Sequence, residues 1–199
     1  SNFLSLPTDC PQRNERMGWT GDAQVFSRAA TYNADVYNFY RQWLVTLRDS
    51  QGENGSLPVT APSYGKVAGG EVQVGHPGKG FAGISWDAAL TLIPWQLYRQ
   101  YGNTGIIEEN IDAIYSYLNY LDANDMELAQ PDGTKVAEPS LTSKTGILAD
   151  WLSRVSTDAS LINNGVYIYL MDVASQMAEV VGRTDMAVEL RTRYDAAKE

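Results

Sequence analysis

The chain has 199 residues, 44% of them hydrophobic and 20% charged, which excludes a disordered polymer and supplies enough apolar side chains for a buried core. Its formal net charge of −9 argues against nucleic acid as a partner, and no apolar run approaches the roughly 20 residues that a membrane-spanning helix needs. One Cys and one His exclude an internal disulfide framework and a zinc site built on Cys or His clusters, and with 12 Tyr and 5 Trp the balance points to carboxylate chemistry on a neutral polar substrate, sugars being the leading example.

Taken in chain order, apolar residues recur at three- and four-residue spacing and predict helices. The opening residues Ser1-Asn2-Phe3-Leu4 show no basic segment followed by an apolar core. The first helix is expected over Thr20 to Tyr32, with Ala23, Phe26, Ala29 and Ala30 on one side and Thr20 as its N-cap. The second carries Val36, Phe39, Tyr40, Trp43, Leu44 and Leu47, with Asn33 or Asp35 as cap. The third runs from Trp86 through Leu90, Ile93 and Leu97 to Tyr101. Pro94 inside it should kink the helix or remove one backbone bond. Gly102 stops this helix, Asn103-Thr104 restarts the chain, and Ile107, Ile111, Ile114, Leu118 and Leu121 mark the fourth. The fifth carries Ile162, Val166, Tyr169, Leu170, Val173, Met177 and Val181. Gly182 separates it from a shorter sixth with Met186, Leu190 and Tyr194, capped by Thr184.

The pattern is therefore all-α: six helices in three consecutive hairpins, with a short strand around Val72 to Val74 left open. Two long connections interrupt it, Ser50 to Ser85 and Ala123 to Lys144, the second containing the turn Pro131-Asp132-Gly133. Connections of this length inside a compact domain are often functional or disordered.

Chemistry concentrates ahead of the first helix. Thr8-Asp9-Cys10-Pro11-Gln12-Arg13-Asn14-Glu15-Arg16-Met17-Gly18-Trp19-Thr20-Gly21-Asp22 brings carboxylates, arginines and a tryptophan into one short segment. One reading is a polar loop closed by arginine–carboxylate pairs. The other is a sugar site, in which carboxylates accept hydroxyl hydrogen bonds, arginine donates them and tryptophan stacks on the apolar face of a pyranose. Asp22, in the first turn of a helix, is expected to stay ionised. Glu15 lies between Arg13 and Arg16 but near Met17 and Trp19. Apolar burial would raise its pKa and an arginine would lower it, and only the first outcome suits a general acid. Trp86 and Trp151 each stand at the start of a helix pair after a long connection, which suits a core anchor or a shared rim. Cys10 reads as a small buried residue and His76 as an exposed loop residue.

The segment Asp9 to Gln24 resembles the signature of glycoside hydrolase family 78, the bacterial and fungal α-L-rhamnosidases. The resemblance continues through Phe39-Tyr40-Arg41-Gln42-Trp43-Leu44, Leu47-Arg48-Asp49-Ser50-Gln51 and Pro58-Val59-Thr60-Ala61-Pro62. It resumes in Trp86-Asp87-Ala88-Ala89, Ile93-Pro94-Trp95, Tyr101-Gly102 and Asp150-Trp151-Leu152. It implies an (α/α)6-barrel catalytic domain that hydrolyses terminal α-L-rhamnosyl bonds with inversion. It implies Glu15 as general acid, Asp9, Arg13 and Asp22 on the rhamnose hydroxyls, and Trp19, Trp86 and Trp151 against the apolar side of the sugar. Asn14 departs from the family pattern, where an Asp is usual. No cofactor or metal is implied, and the family leans toward a periplasmic or extracellular setting.

An inverting glycosidase needs a second carboxylate roughly 6.5–9.5 Å from the acid to activate water. The resemblance assigns that base to the second half of the barrel, whereas the predicted helices account for about half. The whole chain, 1–199, is accordingly expected to be part of the barrel, carrying the acid but lacking the base. The missing half could be replaced by self-association. Two alternatives remain at this level: a helical glycosidase of other sugar specificity, and a non-catalytic helical interaction domain.

Overall fold

The computed structural model describes residues 6–7, 17–63, 84–123, 154–155, 157 and 159–198. Among them the chain forms α1 (Thr20–Asn33), α2 (Tyr37–Asp49), α3 (Ile84–Asp87), α4 (Ala89–Tyr101), α5 (Gly105–Glu108), α6 (Ile111–Ala123), α7 (Ala159–Val180) and α8 (Thr184–Lys198). The six long helices are those the periodicity predicts. The two extra ones are single turns, α3 and α5, leading into α4 and α6. The expected strand at Val72 to Val74 lies outside the described residues. An isolated antiparallel bridge joins Trp19 and Thr60.

Local chemistry explains the breaks. The N-cap of α2 is Val36 and makes no side-chain cap bond, so neither Asn33 nor Asp35 is the cap; the Asp35 carboxylate instead accepts the Tyr37 amide at 3.2 Å from one residue ahead of it. Gly102 ends α4 at φ +71°, a left-handed conformation that glycine adopts without a Cβ clash. The Asn103 side chain then accepts the Gly105 amide at 2.9 Å and restarts the helix. Gly182 turns α7 into α8 at φ +73°. Pro94 sits inside α4 without ending it. Lacking an amide hydrogen, it leaves the Leu90 carbonyl without its intrahelical donor.

Thr20 departs from its expected role. It is the first residue of α1, not its cap, and the cap position belongs to Trp19, which makes no side-chain bond to the helix. The Thr20 hydroxyl and amide both donate to the Val59 carbonyl, each at 2.9 Å. The start of α1 is thus tied to a distant loop instead of closing on itself.

Packing follows alternate helices. α4 lies against both α1 and α7, while α2 packs on α4, α6 on α7, and α7 on α8. α1, α4 and α7 therefore stand side by side, with α2 and α6 set against α4 and α7 and with α8 folded back on α7. One core joins them. Ala23 and Ala30 of α1, Tyr40, Trp43, Leu44 and Leu47 of α2, Leu90, Ile93 and Leu97 of α4, Ile114 and Leu118 of α6, and Leu170 and Met177 of α7 are all buried in it. None of the helices in the described residues is long and apolar enough to cross a membrane.

Candidate functional site

The loop over 51–63 and the N-terminal end of α1 are stitched together. Trp43 donates its indole N–H to the Ala61 carbonyl at 2.9 Å, and the Ala61 amide donates to the Gly18 carbonyl at 2.9 Å. A Cβ on Gly18 would collide with the Ala61 carbonyl and come within 3.2 Å of the Trp43 indole nitrogen, so the strand-like pairing needs glycine there. These bonds fix the Trp19 backbone at the mouth of α1.

On this frame two of the predicted tryptophans meet. Trp19, from the start of α1, and Trp86, from α3, both pack on the buried Val59. Trp86 also lies directly over Gly21, where an added Cβ would sit 2.6 Å from the indole Nε1 and Cε2. The Gln24 side-chain amide donates to the Ser85 carbonyl and anchors α3 to α1 one turn further along. The result is a half-exposed apolar wall built from residues far apart in sequence. Asp22 stands in the first turn of α1, three positions after Trp19, exposed to solvent and in the field of the helix N-terminus. Aromatic wall and carboxylate thus share one end of α1, the combination that a sugar with one apolar face and several hydroxyls requires.

Of the predicted site residues, Trp19, Asp22 and Trp86 are brought together here. Asp9, Arg13, Glu15 and Trp151 lie outside the described residues. Val59 and Gly21 were not singled out from sequence. Val59 carries no chemical handle, and the need for glycine at 21 arises only from the indole above it. Asp87, next to Trp86, is likewise not singled out from sequence and is 1% exposed. Burial pushes its carboxyl well above the ordinary carboxylate range, against a smaller opposing effect of the adjacent Tyr117 hydroxyl. Among the described residues no cluster of three or more His, Cys, Asp or Glu side chains could hold a metal ion.

An open groove of about 470 Å³ lies elsewhere, between the loop carrying Glu53 and Asn54, the α6 face with Tyr115 and Asn119, and Arg183. Neither tryptophan of the wall lines it. Within it Arg183 pairs with Asp112 at 2.9 Å, and Tyr115 donates to Glu189 at 2.6 Å.

The whole chain, residues 1–199, matches the model of the bacterial alpha-L-rhamnosidase six-hairpin glycosidase domain. The chain belongs to that family. Over 97% of its length it is 35% identical to an alpha-L-rhamnosidase of Formosa agariphila, and over 98% it is 32% identical to one of Streptomyces avermitilis. It spans 19% and 17% of those two proteins. The crystal structure of the Streptomyces avermitilis alpha-L-rhamnosidase complexed with L-rhamnose superposes with a TM-score of 0.75 at 29% identity, over 98% of this chain and 17% of that one. The alpha-L-rhamnosidase of Dictyoglumus thermophilum superposes with a TM-score of 0.74 at 28% identity, over 100% of this chain and 20% of that one.

Proposed function

We propose that this chain is the part of an inverting α-L-rhamnosidase catalytic domain that supplies the general acid and most of the rhamnose-binding surface. The observation that carries the reading is the convergence of Trp19 and Trp86 on Val59 beside Asp22. In this reading Trp19 and Trp86, with Trp151, shield the apolar side of the sugar. Asp22, with Asp9 and Arg13, accepts and donates hydrogen bonds to its hydroxyls. Glu15, four residues before Trp19, protonates the glycosidic oxygen as the bond to the aglycone breaks. A second carboxylate on the opposite face of the sugar must deprotonate the attacking water, and that base is assigned to the remainder of the catalytic domain. The substrate class is a glycoside or polysaccharide ending in α-L-rhamnose.

The reading is supported by the rhamnose named in the complex of the Streptomyces avermitilis relative. It is tested by two measurements. The 199-residue chain should release little or no chromogenic aglycone from an aryl α-L-rhamnoside, yet it should bind rhamnose in preference to mannose and glucose. In the full-length enzyme Glu15→Gln should depress hydrolysis strongly while leaving rhamnose affinity nearly unchanged. Robust turnover by the chain alone, abolished by Glu15→Gln, would overturn the assignment of the base. Preference for another sugar would move the specificity, and absence of any sugar binding would favour a helical interaction domain.

A further inference from the structure

The groove between the 51–63 loop, α6 and Arg183 is not used by the proposed reaction, and its walls are held in place from outside it. The loop side rests on Gly55. This residue takes φ +93°, and a Cβ on it would collide with the Ser116 carbonyl of α6, so only glycine lets the loop lie this close to the helix. The Gln51 side chain donates to the Gly55 carbonyl and to the Ala113 carbonyl of α6, each at 3.0 Å. Beside them Asn54 turns its side-chain oxygen back to the Ser56 amide at 3.2 Å and to the Ser56 hydroxyl at 2.8 Å. That orientation leaves the exposed Asn54 NH2 group as a donor for something else.

The helix side is held by α8. Tyr115 donates its hydroxyl to Glu189, and the Arg193 guanidinium lies over the Tyr115 ring, 5.6 Å from its centre. Arg193 also donates to the Asn119 side-chain oxygen at 2.7 Å and pairs with Asp122 at 2.8 Å. One anchored cation therefore fixes two groove residues, an aromatic ring and an amide. Walls that are ordered in advance lower the entropy that a ligand must offset. The volume of about 470 Å³ lies within the range of small-molecule sites. The chemistry narrows the ligand further. Glu53 and Asp112 outnumber Arg183, which is already paired with Asp112, so the groove does not favour an anion. A ring, two amides and carboxylates suit a ligand with an apolar face and several uncharged hydroxyls.

We propose that this groove is a second carbohydrate site, separate from the tryptophan wall, that holds a neutral sugar unit of a glycan without cleaving it. Tyr115 offers its ring to the sugar, the Asn54 amide donates to its hydroxyls, and the Glu53 carboxylate accepts from them. Neither Trp19 nor Trp86 lines the groove, so the proposal stands whether or not the wall binds rhamnose.

The test titrates the isotope-labelled 199-residue chain with cellobiose, xylobiose and lactose and follows its amide resonances by NMR. At least one disaccharide should shift the Asn54 side-chain NH2 and the backbone amides of 115–119 together and saturably, with a dissociation constant of about 1 mM. Tyr115→Ala should weaken that response about tenfold. Asn54→Asp keeps an oxygen for Ser56 and removes the NH2 donor, so it should fold as the parent does and bind more weakly. The proposal is overturned if none of the three disaccharides moves these resonances, or if the shifts fall only at the head of α1 and the indoles of Trp19 and Trp86. Full affinity in a folded Tyr115→Ala variant overturns it as well. If Tyr115→Ala does not fold, an Asn54→Asp affinity equal to the parent's overturns it instead. A groove that responds to spermidine and to no disaccharide is a cation site, and the carbohydrate assignment then falls.

Discussion

Gly21 shows how one missing methyl group makes room for a neighbouring indole. The Trp86 indole occupies the volume in which any Cβ at position 21 would stand, 2.6 Å from Nε1. Gly21→Ala must therefore push the ring away, and Val59 stands against it on another side. We expect a loss of about 1–3 kcal/mol in stability from overpacking and a matching change in Trp86 fluorescence, read by chemical denaturation and emission spectra. Asp87 gives a second residue-scale prediction, through pH. Its folded-state pKa is raised by burial, so the folded chain keeps a proton that the unfolded chain loses near pH 4. Where the native state binds more protons, stability falls as pH rises. Asp87→Asn removes that dependence. Its melting temperature should equal that of the parent below about pH 4 and exceed it increasingly toward neutrality, whereas a constant offset across the range would contradict a buried neutral acid. Trp19, Asp22 and Trp86 stand out in the sequence by residue type, and the roles given to them are proposals. Gly21, Val59 and Asp87 do not stand out, because their roles come from what stands next to them in space.

Among the elements, α4 is the one on which the others depend, since it contacts α1, α2 and α7. Leu97 lies fully buried in it, one turn before the end of the helix. Leu97→Ala should cost about 2–5 kcal/mol, measured as a shift in the denaturation midpoint at unchanged slope. Substitution of Val188, on the solvent side of α8, by Ala should stay within about 0.5 kcal/mol. The helices themselves were readable because apolar periodicity, Gly102, Gly182 and Asp35 act locally. The separation of α3 from α4 and of α5 from α6 was not readable. In both pairs the apolar spacing continues across the break, and only long-range ties such as Gln24 to Ser85 distinguish a separate turn from the start of a longer helix. Thr20 shows the same limit from the other side. A hydroxyl at the head of a helix reads as a cap, and a distant carbonyl at Val59 captures it instead.

At the scale of the whole molecule, α1 is apolar on two sides. Ala23, Ser27 and Ala30 face inward and are buried, while Val25, Ala29 and Tyr32, at spacings of four and three residues, face solvent on the opposite side. Val25 is 78% exposed and Tyr32 is 68% exposed. A helix with polar residues on its outer side needs no second neighbour, whereas one that is apolar all round belongs between two layers. The relatives that this chain resembles are about five to six times longer, since it covers 17–21% of the solved rhamnosidases. We infer that in such a protein the stripe on α1 packs against further parts of the domain, and that in the isolated chain a second copy takes their place. Sedimentation velocity should then show concentration-dependent association of the 199-residue chain. The double variant Val25→Ser, Tyr32→Ser should shift it toward monomer without lowering the melting temperature of the monomer by more than about 1 kcal/mol in equivalent stability, because neither side chain reaches the core. A chain that sediments as a monomer at every concentration, and binds no hydrophobic surface dye, would show that the stripe needs no cover.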